Sequence, residues 1–272
     1  MGASFCLTAL AVYSTFIALI LAAIGFATNH WEVYVVDNEK LGDQMRRDAI
    51  TRREFETNWT PEFLDVGFNR SIGLFRKCFP DILPPAYIGR TEFGCVEIIK
   101  DYQTPGENER QQTDDEVLRM HLKRTSIAFY ILAMIVLLLC VHLGIISCLR
   151  SDSCTYLATG FLLLFAMLVL AAALAIWLGV QYMEQNVIKI VPYAAVWPEG
   201  LKAVSTLFYG WSFIVAWIAV GFSLLASLLM FSADGAFRSE KRRTPELWIA
   251  RDKVFPNQET RTKTLEYENK TT

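Results

Sequence analysis

Residues 126–148 read SIAFYILAMIVLLLCVHLGIISC, a stretch without a single Asp, Glu, Lys or Arg. At about 1.5 Å of rise per residue, a helix of that length crosses the roughly 30 Å hydrocarbon layer of a bilayer. Three further runs have the same character: Leu7 to Thr28, Tyr156 to Val180 and Phe208 to Phe231. None incurs the roughly 2.5–3.5 kcal/mol that one central charge costs on insertion. Lipid offers no partner to open backbone groups, and a barrel would show alternating strands of about ten residues, so the spans are helices. The sequence therefore predicts an all-α membrane protein with spans at 7–28, 126–148, 156–180 and 208–231. Between and around them lie a short N-terminus (1–6), a large loop (29–125), a tight turn (149–155), a second loop (181–207) and a tail (232–272).

Composition agrees with this division. The 272 residues are 53% hydrophobic, and 26 Lys+Arg against 28 Asp+Glu leave a formal charge of −2, which excludes a disordered tail protein and a nucleic-acid binder. The first run is read as a span rather than a cleaved signal, because Met1 to Cys6 carries no Lys or Arg and the run exceeds a signal's usual apolar length. The opening approaches a myristoylation signal but has Cys6 where Ser or Thr is wanted.

Basic residues orient the spans. The tail opens with Arg238, Lys241, Arg242 and Arg243, whereas the second loop carries only Lys189 and Lys202. The positive-inside rule then makes the tail cytoplasmic, and an even number of spans returns the N-terminus to the same side. The large loop is expected to be extracellular; Lys123 and Arg124 argue mildly the other way.

Cysteine placement tests this independently. Only Cys78 and Cys95 lie in the large loop, a pair suited to an oxidising compartment, while Cys6, Cys148 and Cys154 lie near the inner face and Cys140 lies inside a span. Asn58-Trp59-Thr60 and Asn69-Arg70-Ser71 are glycosylation acceptors on the same loop. Pro61 hinders the first, so Asn69 is the better candidate. Cys6, Cys148 and Cys154 are candidates for palmitoylation.

Within the large loop, Trp31 to Val36 is β-branched and aromatic and reads as a strand, and Leu41, Met45 and Ala49 suggest a short amphipathic helix over Lys40 to Glu56. Ser71 to Phe79 and Glu92 to Ile99 read as two strands, each with its cysteine inside it. A bridge between them closes a loop of about seventeen residues, worth on the order of 3 kcal/mol. Thr104 to Glu116 reads as a solvated loop leading into a helix continuous with the second span.

Asn29-His30-Trp31, then Gly73-Leu74-Phe75-Arg76-Lys77-Cys78, then Cys95, resembles the signature of the claudin, PMP22 and calcium-channel gamma-subunit superfamily of four-span proteins. Tyr209-Gly210-Trp211-Ser212-Phe213 looks like the fourth-helix start of the gamma-like and AMPA-receptor auxiliary branch. The resemblance covers about residues 5–232 and implies a left-handed four-helix bundle capped by a small antiparallel β-sheet that holds the disulfide; with the orientation read from the basic residues, that sheet is expected to be extracellular and both termini cytoplasmic. This chain departs from the pattern at Phe75, which replaces a Trp, and in its long first loop, which is more typical of the gamma-like branch. The tail's last residue, Thr272, lacks the apolar character that PDZ capture requires, so that mode of scaffold anchoring is not expected.

No catalytic or metal constellation stands out, so neither an enzyme nor a cofactor is expected. His30, His121 and His142 are dispersed. His142 lies at membrane depth and is expected to hydrogen-bond a neighbouring helix. Small residues at every fourth position, Ala171, Ala175 and Gly179 in span three and Ala219, Ser223 and Ser227 in span four, suggest close helix contacts. Trp31 suits either a partner contact or an interfacial anchor, and Arg76 and Lys77 suit solvated strand charges or an acidic partner. In the tail, Leu247, Trp248, Ile249, Val254 and Phe255 form an apolar group suited to docking or to the membrane surface.

Function is thus expected in contacts with lipid and proteins at the plasma membrane. The resemblance implies an auxiliary subunit of an ion channel or receptor, for instance at synapses. Its rival is a claudin-like junction or adhesion protein, meeting its own kind in cis or trans at cell–cell contacts and reaching a cytoskeletal adaptor through the tail.

Overall fold

The structure is a computed structural model that describes residues 3–47, 65–84, 87–89, 91, 93–98, 102–103, 112–150, 152–190, 192–197 and 199–243. Four long helices carry the chain: α1 (Ala3–Ala27), α3 (Asp114–Arg150), α4 (Ser153–Tyr182, continued by a π-helical turn Met183–Val187) and α6 (Trp211–Arg243). All four are long and apolar enough to cross a membrane. Five strands, β1 (Glu32–Val36), β2 (Arg70–Ile72), β3 (Arg76–Cys78), β4 (Cys95–Glu97) and β5 (Ser205–Tyr209), form one antiparallel sheet in the order β4-β3-β2-β1-β5. Two short helices, α2 (Asn38–Arg47) and α5 (Glu199–Val204), flank it.

Each long helix packs on two others, α1 on α3 and α6, and α4 on α3 and α6. The α1–α6 seam is made of small side chains. Thr8, Ala11, Thr15, Ala18, Ala22 and Gly25 are buried on α1, facing Ser212, Ala216, Ala219, Ser223, Ala226 and Ala233 on α6. These positions recur at alternating steps of three and four, the spacing of helices that cross in the left-handed sense. Backbones can then approach until Ser14 Oγ donates to the Phe222 carbonyl across the seam at 3.0 Å. Span four's Ala219, Ser223 and Ser227 are all fully buried. Span three's Ala175 and Gly179 instead face outward, and a Cβ at Gly179 would meet nothing within 4 Å. Helix α4 packs through Gly160, Leu163, Ala166, Leu170, Ala173 and Trp177 instead.

Both described chain ends lie at the end of the bundle opposite the sheet, where Ser4 Oγ donates to Glu240 Oε2 at 2.8 Å. Helices α3 and α4 meet at the same end, leaving only residues 151–152 between them. There Asp234 on α6 accepts the Ser153 hydroxyl and pairs with Arg238 at 3.0 Å.

The helices differ from the apolar runs in informative ways. Glu116 Oε2 reaches back to accept both the Thr113 amide at 2.9 Å and the Thr113 hydroxyl at 3.2 Å, which caps α3 at Asp114 and leaves its first three turns above the apolar stretch. Asp114, Asp115 and Glu116, expected in a solvated loop, are that helix's first turn. At the other end, Phe208 and Tyr209 belong to β5, and α6 starts only at Trp211. The stretch read as one strand over Ser71 to Phe79 is a hairpin, with Gly73, Leu74 and Phe75 in the turn between β2 and β3.

Candidate functional site

Four segments cross where α1 ends and β1 begins. Trp31, only 1% exposed, sits between Trp177, Phe213 and Tyr130 at ring separations of 5.1, 5.6 and 5.8 Å, and its indole N–H donates to the Gly25 carbonyl at 2.7 Å. It is therefore neither a lipid-boundary anchor nor an exposed contact; it is the plug that seals the helices beneath the sheet. Leu74, at the tip of the β2–β3 turn, joins the same apolar cluster. Phe75 lies edge-on to Phe26 of α1 at 5.2 Å.

Two glycines make the crossing possible. A Cβ on Gly73 would stand 2.6 Å from Asn29 Cα, and one on Gly210 would stand 1.9 Å from the His30 carbonyl oxygen. These backbones touch, and they hydrogen-bond: Trp31 N–H to the Ile72 carbonyl at 3.0 Å, Gly210 N–H to the Trp31 carbonyl at 2.9 Å and Ser212 N–H to the His30 carbonyl at 3.2 Å. The Ser212 hydroxyl also accepts the His30 amide at 3.2 Å and lies 2.7 Å from the Thr28 hydroxyl. The signature residues are thus one structural unit that clamps α1, β1, the β2–β3 turn and the start of α6. Tyr209 and Trp211 line its outer rim, half exposed, with Tyr209 stacked on Phe213 and Trp211 tilted against His30 at 5.7 Å.

Below the sheet lies a buried ionic layer. Arg119 and Lys123 of α3 both reach Glu184 Oε1 on the π-helical turn, at 2.5 and 3.0 Å. Lys123 lies over the Trp177 ring at 5.6 Å, and Arg119 over Tyr193 at 4.9 Å. Glu32, the first residue of β1, points into this layer and is 3% exposed. Burial, then the Glu184 charge, pushes its carboxyl up to about 7, opposed by Lys123, Gln181 and Arg119. Gln181 acts on Glu32 as a side-chain hydrogen-bond donor that favours the ionised carboxyl, at a geometry looser than an ordinary hydrogen bond, and among the described residues the Trp177 indole N–H has no hydrogen-bond partner.

Farther from the helices, Arg70 is buried beneath the sheet, its guanidinium 4.1 Å from the Tyr34 ring centre and donating to the Asp65 and Val66 carbonyls at 3.0 and 3.2 Å. Burial and the neighbouring carboxylates raise the Tyr34 phenol, and burial lowers Arg70. Asp65 Oδ2 accepts from Lys77 Nζ at 3.1 Å and from the Tyr87 hydroxyl at 2.7 Å. Lys77 is thus committed to an internal ion pair.

The disulfide joins Cys78 and Cys95, which face each other in the β3–β4 ladder with an S–S distance of 2.06 Å. Between them the chain turns at the end of the sheet farthest from the helices, since β3 leaves the joint at Phe75 and Ile98 returns its amide to the Phe75 carbonyl at 3.0 Å. Ile82, Ile88 and Phe93, in the connection between the two cysteines, are exposed apolar residues, the last fully so at φ +54.

The remaining sequence candidates fall as follows. Asn69 is tied at both ends, its Oδ1 accepting the Val36 amide and its Nδ2 donating to Asp81 Oδ2, each at 2.8 Å. Cys6 and Cys154 are exposed and Cys148 half-buried, all at the end opposite the sheet. His142 faces outward and donates from Nδ1 to the Leu138 carbonyl of its own helix at 2.8 Å, not to a neighbouring helix. Asn58 and the tail residues Leu247, Trp248, Ile249, Val254 and Phe255 lie outside the described residues.

Sequence reading missed Glu32, Arg119, Lys123, Gln181 and Glu184 as a group. A signal existed: Glu116, Arg119, Lys123, Ser126 and Tyr130 recur at steps of three and four and are all buried, so one α3 face continues from the apolar span through its charged extension.

A closed bundle of four membrane-length helices carrying a disulfide-stapled sheet on a Trp–Gly clamp defines a class of multi-pass membrane protein. A family profile described as PMP-22/EMP/MP20/Claudin tight junction matches residues 16–232, and the chain belongs to that family. No curated protein matches the chain. The superfamily membership, the four membrane-length helices and the Cys78–Cys95 bridge expected from the sequence are therefore in place.

Proposed function

We propose that the sheet end faces the cell exterior and that the protein is a non-enzymatic auxiliary subunit of a channel or receptor in the plasma membrane. The observation that carries this reading is the exposed apolar tip, Ile82, Ile88 and Phe93, held on a sheet that is clamped to the helices. A partner's ectodomain meets the tip while its membrane helices meet the bundle, and the clamp makes both contacts report on one rigid body. By binding one state of the partner better than another, such a body shifts the populations of closed, open and desensitised forms. The disulfide and the basic end of α6 support this orientation. The exposed thiols of Cys6 and Cys154 are then cytosolic candidates for acylation.

Affinity purification from native membranes in mild detergent, with mass spectrometry of what stays bound, tests this. Recovery of a multi-span channel or receptor is expected. The family's tight-junction description favours a second reading, a cell-junction protein that pairs with its own kind through the tip and reaches a cytoskeletal adaptor through Leu247 to Phe255. Recovery of only the chain itself, adhesion proteins and actin regulators would move the reading there.

A further inference from the structure

Lipid-facing positions of a span are apolar because hydrocarbon offers a polar group no partner. In the half of the bundle opposite the sheet, the exposed residues of the four apolar runs are Ala, Leu, Ile, Phe and Gly with two exceptions, Tyr13 on α1 and His142 on α3. Tyr13 is 63% exposed, and its hydroxyl makes no hydrogen bond among the described residues. Ionisable or polar side chains at such depth ordinarily face a bundle interior or a partner.

The two lie at one level of the membrane. Each stands six residues inside the end of its run, counted from Leu7 and from Cys148, which is about 9 Å of helix. Contact between the helices fixes the same level independently: a Cβ on Gly144 would stand 2.7 Å from Val12 Cγ2, so α1 beside Tyr13 touches α3 beside His142. Their chemistry is complementary. His142 Nδ1 donates to the Leu138 carbonyl at 2.8 Å, which leaves Nε2 of the neutral ring as a bare lone pair. Leu138 lies one turn nearer the middle of the bilayer, so the ring is held away from the nearer surface. Two such rings cannot satisfy each other, since both Nε2 atoms accept; a phenolic O–H supplies what each lacks.

We propose that a second copy of this chain docks on the face shared by α1 and α3, with Tyr13 of each copy donating to His142 Nε2 of the other. A two-fold axis along the membrane normal makes the contact reciprocal, so one surface supplies both donor and acceptor. Two copies inserted in the same sense set α1 of one antiparallel to α3 of the other, as these two helices already pack within the chain. Leu10 and Phe16 of α1 and Leu138, Leu139 and Ile145 of α3, each about half exposed, supply the apolar surround. The apolar residues give contact area, and the polar pair fixes depth and register, as a single polar position does in a coiled coil. Such a dimer sets its two sheets side by side on one face of the membrane. It stands apart from the identity of any channel, receptor or junction partner.

The test is energy transfer between donor- and acceptor-labelled copies of the full chain in phosphatidylcholine vesicles, followed as added lipid dilutes the protein. Wild type is expected to self-associate. Tyr13→Phe removes only the hydroxyl and His142→Leu only the acceptor ring, and by symmetry each variant loses both bonds. A hydrogen bond between membrane helices changes an equilibrium about threefold, so each variant is expected to weaken association about eightfold. The double variant is expected to be no weaker than either single one, because both remove the same pair. A wild type that is monomeric at every dilution overturns the proposal, as does association that the variants leave unchanged or losses that add. Cross-linking then locates the face. With Cys6, Cys148 and Cys154 replaced by serine, copies carrying Tyr13→Cys are expected to cross-link to copies carrying His142→Cys, and neither to itself. Self-linking without the mixed product overturns the pairing. So does a His142→Cys chain that links, in native membranes, to another protein and not to a second copy, which would make that protein's helix the occupant.

Discussion

Replacing Gly210 by alanine tests the clamp at its tightest point. The added Cβ would lie 1.9 Å from the His30 carbonyl oxygen, where ordinary contact begins at 3.4 Å, so the two backbones must separate by about 1.5 Å. That movement breaks the Gly210 to Trp31 and Ser212 to His30 backbone hydrogen bonds. Each is worth about 1 kcal/mol net, and forcing apart a close-packed region adds roughly 1–3 kcal/mol, for a total on the order of 3–5 kcal/mol. For a chain of this size about 1 kcal/mol moves the melting temperature by roughly 2–4 °C, so Gly210→Ala is expected to melt on the order of 10 °C lower. Gly221→Ala, in the middle of α6 with nothing within 4 Å of the new methyl, is the control. It is expected to be neutral or stabilised by up to about 1 kcal/mol, the helix preference of alanine over glycine. Both are read by scanning fluorimetry in one detergent or nanodisc. Gly210→Ala melting within a degree or two of wild type would refute the reasoning, because the backbones could then not be in contact.

Glu184→Ala removes the carboxylate that both Arg119 and Lys123 reach in a buried layer and is expected to cost about 3–5 kcal/mol, whereas replacing all three by methionine recovers most of the loss; equal damage from both would contradict the pairing. Reducing the Cys78–Cys95 bridge is expected to lower stability by about 3 kcal/mol, measured by melting with and without reductant. Asn69 is expected to carry its glycan only if modified before the tip closes, because the folded side chain is tied to Val36 and Asp81; a glycosidase-sensitive gel shift that Asn69→Gln removes is the check, and an insensitive mobility removes that expectation alone.

Hydropathy located the four spans because lipid imposes one requirement on every residue of a span. It could not find their ends. Phe208 and Tyr209 are apolar whether they extend a helix or form an edge strand, and only the β1 ladder, Val33 opposite Phe208 and Glu32 opposite Tyr209, decides. Arg119 and Lys123 look like loop residues until α3 carries them onto Glu184, a partner 65 residues along the chain from Arg119. The signature was readable as a pattern, but its meaning was not: Gly73 and Gly210 are needed for backbones that meet only in three dimensions. Outward-facing Ala175 and Gly179 show the converse failure, since small residues at helical spacing look the same whether they face a neighbour or lipid.

The central claim is that sheet and helices form one body through the Trp31, Gly73 and Gly210 clamp. Hydrogen exchange of the intact chain in nanodiscs tests it most directly. The account predicts that the amides of Trp31 and Val33–Val36, in a strand paired with β5 along its length and with β2 over Glu32–Tyr34, exchange as slowly as the membrane-spanning part of α3, opening only with the whole fold. Fast exchange through β1 while α3 and α4 stay protected would mean that the sheet moves by itself, and would contradict it.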